Sequence, residues 1–173
     1  TERNFLGLGK SFSVAYRGAP AGRSRAISYS DPSLIGTRVQ VHYGASDGAT
    51  GATDAVEIAQ PFYAQDATRS YGVRWARSTS VAAAYERAVE IANFNRRDES
   101  SELFWGVGRR DGRTIHRVVC SLESWSRRFG PSQPLGADVP PEFLGGEESL
   151  HLTRFSVEGR LWRPHYIERV RVN

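Results

Sequence analysis

The sequence predicts an α+β fold, mixed and mainly antiparallel, with few helices. Three observations carry that expectation. Short runs of alternating apolar residues recur along the chain, an Asp-Gly pair separates two of them, and a longer run from Val81 has helical spacing. Six or seven strands with one good helix belong to that class.

Phe12-Ser-Val-Ala-Tyr16 reads as a first strand, ending at Arg17-Gly18-Ala19-Pro20. Residues 18–37 are punctuated by Gly, Ser and Pro and read as loop and short helix. Arg38-Val-Gln-Val-His-Tyr43 alternates as a strand, whereas Gly44 to Asp54 is small and polar, the composition of a flexible surface loop. Ser70 to Ala76 is a further strand, carrying Tyr71 and Trp75. Ser78-Thr79-Ser80 then marks a strand-to-helix junction, with Ser80 as the N-cap of a helix from Val81 to Phe94. Val81, Ala84, Tyr85, Ala88, Ile91 and Ala92 share one face of that helix, the spacing of a core-packed element.

Leu103 to Val107 and Thr114 to Cys120 are apolar strands on either side of Asp111-Gly112, a strong hairpin signal. Gly130 to Pro141 holds four prolines and reads as loop. Ser149 to Phe155 and Tyr166 to Val172 complete the strands. There are no internal repeats, and the 173 residues form a single domain by length.

Composition narrows the function classes. Hydrophobic content of 39% and charged content of 24% fit a soluble globular protein. No apolar run approaches the ~20 residues of a membrane-spanning helix, and no membrane insertion by this domain is expected. The N-terminus lacks a signal pattern and the chain lacks Met, which suggests a domain cleaved from a longer polypeptide. The lone Cys120 excludes an internal disulfide and a cysteine-based zinc site, and it reads as a small core residue. His42, His116, His151 and His165 have no zinc-helix spacing, and no Gly-x-Gly-x-x-Gly follows a strand. No metal is expected. The net charge of +4 and pI of about 9.6 suit an acidic partner, and Lys10 is the only lysine among 23 basic residues.

Three short motifs stand in order: Tyr16-Arg17-Gly18 at a strand end, Ser78-Thr79-Ser80 at the junction, and Phe143-Leu-Gly-Gly146-Glu147-Glu148 downstream. Arginine, Ser-Thr-Ser and glutamate in that order resemble the bacterial mono-ADP-ribosyltransferase toxins of the cholera and pertussis type. The resemblance implies a split β core, NAD as co-substrate, and transfer of ADP-ribose to an intracellular macromolecule, RNA or protein. It further implies the toxin module of a larger secreted protein, acting in a target-cell cytoplasm, with an acidic immunity protein as partner.

In that resemblance Arg17, with Gly18 beside it, grips the NAD phosphates through a bidentate guanidinium contact. Ser78 orients the catalytic glutamate, and Thr79 and Tyr85 lie against the cofactor. Glu148 stabilises the oxocarbenium-like sugar as the nicotinamide leaves. Phe143, Gly146 and Glu147 form the acceptor-recognition segment, and Gly146 stands where the family has Gln or Glu. A non-standard acceptor is therefore expected. Glu158 is the rival catalytic carboxylate. Tyr71 and Trp75 are further candidates for stacking on nicotinamide.

Three alternatives use overlapping residues. An NAD glycohydrolase would need the same site. A metal-independent ribonuclease would pair His116 and His151 with Glu148 as acid and base. An arginine-rich binding module would bind RNA without chemistry.

Overall fold

The computed structural model describes residues 2–5, 9–19, 22–65, 67–86, 89–112, 114–135 and 146–163, and within them the chain is one antiparallel sheet. Its strands are β1 (Glu2–Phe5), β2 (Lys10–Ala19), β3 (Gly22–Asp31), β4 (Gln40–Gly48) and β5 (Gly51–Gln60). They continue as β6 (Arg69–Glu86), β7 (Val89–Asp111), β8 (Thr114–Phe129), β9 (Gln133–Pro134) and β10 (Glu148–Trp162). Neighbours in sequence are neighbours in the sheet from β1 to β8; β10 follows β8, and the short β9 pairs with β7. The result is an open up-and-down meander.

This corrects the α+β expectation. No α-helix occurs among the described residues, only a 3-10 turn at Leu34–Gly36. The stretch expected as a helix from Val81 is the far part of the β6–β7 hairpin, with Ala82 opposite Phe94 and Ala84 opposite Ala92. Pairing overrides propensity here. β6 already lies in register with β5 as far as Ser80, and the returning β7 supplies a ladder partner for every residue that extends it. Ala92 is fully buried, and the Phe94 ring packs edge-on against Phe129 at 5.7 Å between centroids.

Two expected loops are also strands. Gly44 to Asp54 folds as the β4–β5 hairpin, and half of residues 18–37, Gly22–Asp31, is β3. Gly51 makes that hairpin possible: its φ is +150°, and a Cβ there would lie 2.0 Å from the Thr79 carbonyl oxygen. The expected strands at 12–16, 70–76, 103–107, 114–120 and 149–155 are present. Asp111-Gly112 turns β7 into β8 as expected, with Gly112 at φ +56°. Tyr166 to Val172 lies outside the described residues.

Side chains alternate between two faces, and the faces differ. One is polar and partly covered. Ala59, Ser70, Ala92, Phe104 and Ile115 are buried on it. The segment between β5 and β6 lies across it, with Phe62 against Gly106 and Gly108. Gly108 donates its N–H to the Thr68 carbonyl at 2.8 Å. Charged pairs fill the rest. Arg74 bridges Glu57 at 3.3 Å and Glu102 at 2.9 Å, Arg154 meets Glu123, and Asp98 takes Arg96 at 2.7 Å and Arg127 at 2.5 Å. Burial opposes ionisation of Asp98, but the Arg127 and Arg96 contacts outweigh it and hold its carboxyl below the usual range.

The other face is apolar through its middle and largely uncovered. Leu103 is 61% exposed, Trp105 54% and Phe155 68%.

Candidate functional site

The exposed face carries a bounded apolar band. On β2 it consists of Phe12, Val14 and Tyr16, on β3 of Ile27 and Tyr29, on β4 of Val41, Tyr43 and Ala45. β5 contributes Val56 and Ile58, and β6 contributes Tyr71, Val73 and Trp75. Leu103, Trp105 and Val107 follow on β7, Val118, Cys120 and Leu122 on β8, and Phe155, Val157 and Leu161 on β10. The register joins them across the sheet: Val41, Ile58, Val73, Leu103, Leu122 and Phe155 occupy one lateral row.

Charges mark both borders of the band. Near β2–β4 the upper border is the Lys10–Asp31 pair at 3.1 Å, and the lower is Arg25–Asp47 at 3.2 Å. Asp31 is fully buried there. The Ser33 N–H bond does most to keep its carboxyl low, against the opposing effect of burial and with help from Lys10 and Tyr29. On β6 the borders are Arg69 and Arg77, and on β7 Arg109 and Glu99. The upper border therefore climbs from the Asp31 row to the Arg109 row, three rows along the strands. The lower border climbs one row, from the Asp47 row to the Glu99 row, so the band drifts in one direction and widens towards β7; drift of this kind is what a band crossing tilted strands shows. Arg69 to Arg77 spans about 27 Å along β6 and Glu99 to Arg109 about 34 Å along β7; at a tilt of ~40° these become roughly 21–26 Å.

The residues expected to build an NAD site are distributed unevenly. Arg17, Ser80 and Glu148 lie in one lateral row on the polar face, through Ser24, Gly48, Gly51, Arg96 and Phe129. Seven interstrand steps separate Arg17 from Glu148, about 34 Å measured along the sheet. Gly18 sits beside Arg17, opposite Arg23. Ser78 faces the same side as Ser80, two residues along β6, and Thr79 faces the other. Tyr85 is 63% exposed near the β6–β7 bulge. Neither Ser78 nor Ser80 caps a helix; both are in mid-strand.

One cleft of about 700 Å³ brings part of the set together. Thr79, Ser80, Glu147 and Glu148 line it with Arg96, Arg97 and Arg128. Gly146 has open space where a Cβ would stand, and Phe143 lies outside the described residues. Arg17 is not part of the cleft lining. Glu158 is engaged by Arg160 at 2.6 Å, which holds its carboxyl low. His116 and His151 face the apolar side at opposite ends of the band, in rows with Arg109 and with Arg77 and Glu99. Among the described residues, no group of three or more His, Cys, Asp or Glu could hold a metal ion.

The band itself went unread in the sequence. Its signal was present in Tyr71-x-Val73-x-Trp75 and Leu103-x-Trp105-x-Val107. Each strand carries only two or three such residues, so the surface emerges once the register aligns them. The sequence matches no family model, no curated protein is significantly similar to it, and no solved structure is significantly similar to its fold.

Proposed function

We propose that this chain forms membrane-embedded wall of a transmembrane β-barrel, with the apolar band toward lipid and the polar face toward a lumen. The carrying observation is the inversion of polarity: most of the ion pairs among the described residues and the segment between β5 and β6 lie on the covered face, while the aromatic and aliphatic residues of the band are exposed and the outward ion pairs stand at its borders. Antiparallel strands satisfy their backbone groups laterally, which hydrocarbon demands. On β6 and β7 the band height suits the ~25 Å apolar belt of such barrels, and its drift across the register suits tilted strands. The reading departs from the expectation of no membrane insertion, which rested on the absence of a long apolar helix.

Single-tryptophan variants in phosphatidylcholine vesicles test it. Trp105 lies in the band, and Trp125 lies on the polar face under the Arg127 guanidinium. Lipids brominated in mid-chain are expected to quench Trp105 strongly and Trp125 weakly. A water-soluble monomer, or a soluble dimer that shields Trp105 without lipid, overturns the reading.

A second reading keeps NAD-dependent ADP-ribosyl transfer. It is favoured by the cleft that joins Thr79, Ser80, Glu147 and Glu148 with three arginines. Labelled NAD incubated with lysate decides it: incorporation that Glu148→Ala abolishes supports transfer, and no incorporation removes it.

A further inference from the structure

Beyond the lower border of the band, the outward face changes character. Arg97 and Arg128 stand directly opposite each other on β7 and β8, with Thr79 beside Arg97. Arg77 lies one row nearer the band, opposite Glu99. Like charges in direct cross-strand opposition destabilise a sheet unless something neutralises them. Glu99 reaches Arg97 at 3.3 Å, and Arg128 is exposed and enters none of the ion pairs among the described residues. The same two arginines line the 700 Å³ cleft, which is open enough to admit a phosphate group.

We infer that Arg97 and Arg128, with Arg77 at the edge, form a binding site for the phosphate of an anionic lipid headgroup. The inference rests on the membrane reading, because that reading puts this row at headgroup depth. Arginine suits the task through its planar fork, which holds phosphate oxygens in pairs.

Vesicles of phosphatidylcholine alone, or mixed with phosphatidylglycerol, test the site with wild type and the Arg97→Gln/Arg128→Gln double variant. Wild type is expected to bind the mixed vesicles more tightly, and the double variant to lose roughly tenfold or more of that preference. Arg97→Lys/Arg128→Lys is expected to recover only part, since Lys keeps the charge without the fork. Equal insertion of wild type and double variant in both vesicles overturns the headgroup site and leaves the membrane reading standing. No insertion of wild type in either overturns both. Inorganic phosphate that competes at millimolar concentration would make this a free-anion site and overturn the lipid assignment.

Discussion

Trp75 donates its indole N–H to Glu99 Oε1 at 3.1 Å across the β6–β7 pair. The bond joins the last aromatic residue of the band on β6 to the charge that borders the band on β7. An amphipathic ring with its polar edge tied to the border is what an interface between apolar and wet surroundings selects. The bond also acts on the acid. Trp75 first, then Arg97, holds the Glu99 carboxyl below its usual value, while burial works the other way.

The sign of the pH effect follows. A carboxyl depressed in the folded state stabilises the fold above its unfolded pKa, about 4.3, and that contribution is lost as pH falls through the folded value. Urea midpoints measured from neutral pH down to about pH 3 should decline for wild type, with Glu99 among the groups responsible. Glu99→Gln should be less stable at neutral pH and flatter in acid. Trp75→Phe should lower the neutral midpoint and steepen nothing. A decline in Glu99→Gln identical to wild type removes Glu99 from the acid limb.

Two leucines separate the faces. Leu103 is in the middle of the outward band, and Leu152 lies on the polar face opposite Trp125; both are more than half exposed. In vesicles, Leu103→Arg should cost about 2–4 kcal/mol, the penalty for a cation at bilayer depth. Leu152→Arg should change stability by about 0.5 kcal/mol or less, as an ordinary exposed substitution does. Equal costs in urea titration would contradict the assignment of faces.

How much of this was legible depends on where the two faces differ. Along Tyr71–Trp75 and Leu103–Val107 one side is apolar and the other is not, so alternation is visible and the strands were found. From Arg77 to Ser100 the few large apolar residues, Val81, Tyr85, Val89, Ile91 and Phe94, are separated by alanines and polar residues, and period two vanishes. Ala82, Ala83 and Ala84 followed by Glu86 then resemble a helix, because alanine and glutamate favour one wherever packing does not decide. What decides is the β6–β7 pairing, which continues strands already in register with β5 as far as Ser80 and with β8 from Arg96 onward, and no local window contains that register. Ser78-Thr79-Ser80 was misread for the same reason. Ser and Thr suit a cap, but Thr is equally at home in a strand. Of the three expected points, Arg17, Ser78 and Glu148, only Glu148 lines the cleft, where Thr79 and Ser80 stand in place of Ser78, and nothing in the spacing of Arg17 revealed the four strand steps between β2 and β6.

Gly108 admits the 61–68 segment to the polar face. A Cβ there would stand 2.7 Å from the Ala67 carbonyl oxygen and 3.1 Å from the Phe62 ring. Gly108→Ala should therefore cost about 1–3 kcal/mol by overpacking. Its effect should concentrate on the segment, read as faster proteolysis around Tyr63. Gly159→Ala, at a site with open space around it, is the control and should leave proteolysis unchanged.

Arg117 is the second clamp on that segment. Its guanidinium lies over the Phe62 ring at 4.5 Å and donates to the Ala64 carbonyl at 2.7 Å, while its Nε is buried without a partner. The unpaired Nε is a cost that the fold carries in order to keep the fork over the ring. Arg117→Lys keeps a cation but loses the planar stack, and should weaken the clamp by about 1 kcal/mol. Arg117→Ala removes both contacts and should cost about 1–3 kcal/mol, leaving the Ala64 carbonyl without its donor. If both clamps hold the same segment, the two substitutions are not additive: once Gly108→Ala has displaced it, Arg117→Ala should add little. A double-mutant cycle on the proteolysis rate measures that coupling. Strict additivity would mean that Arg117 stabilises β8 alone and that Gly108 governs the segment by itself.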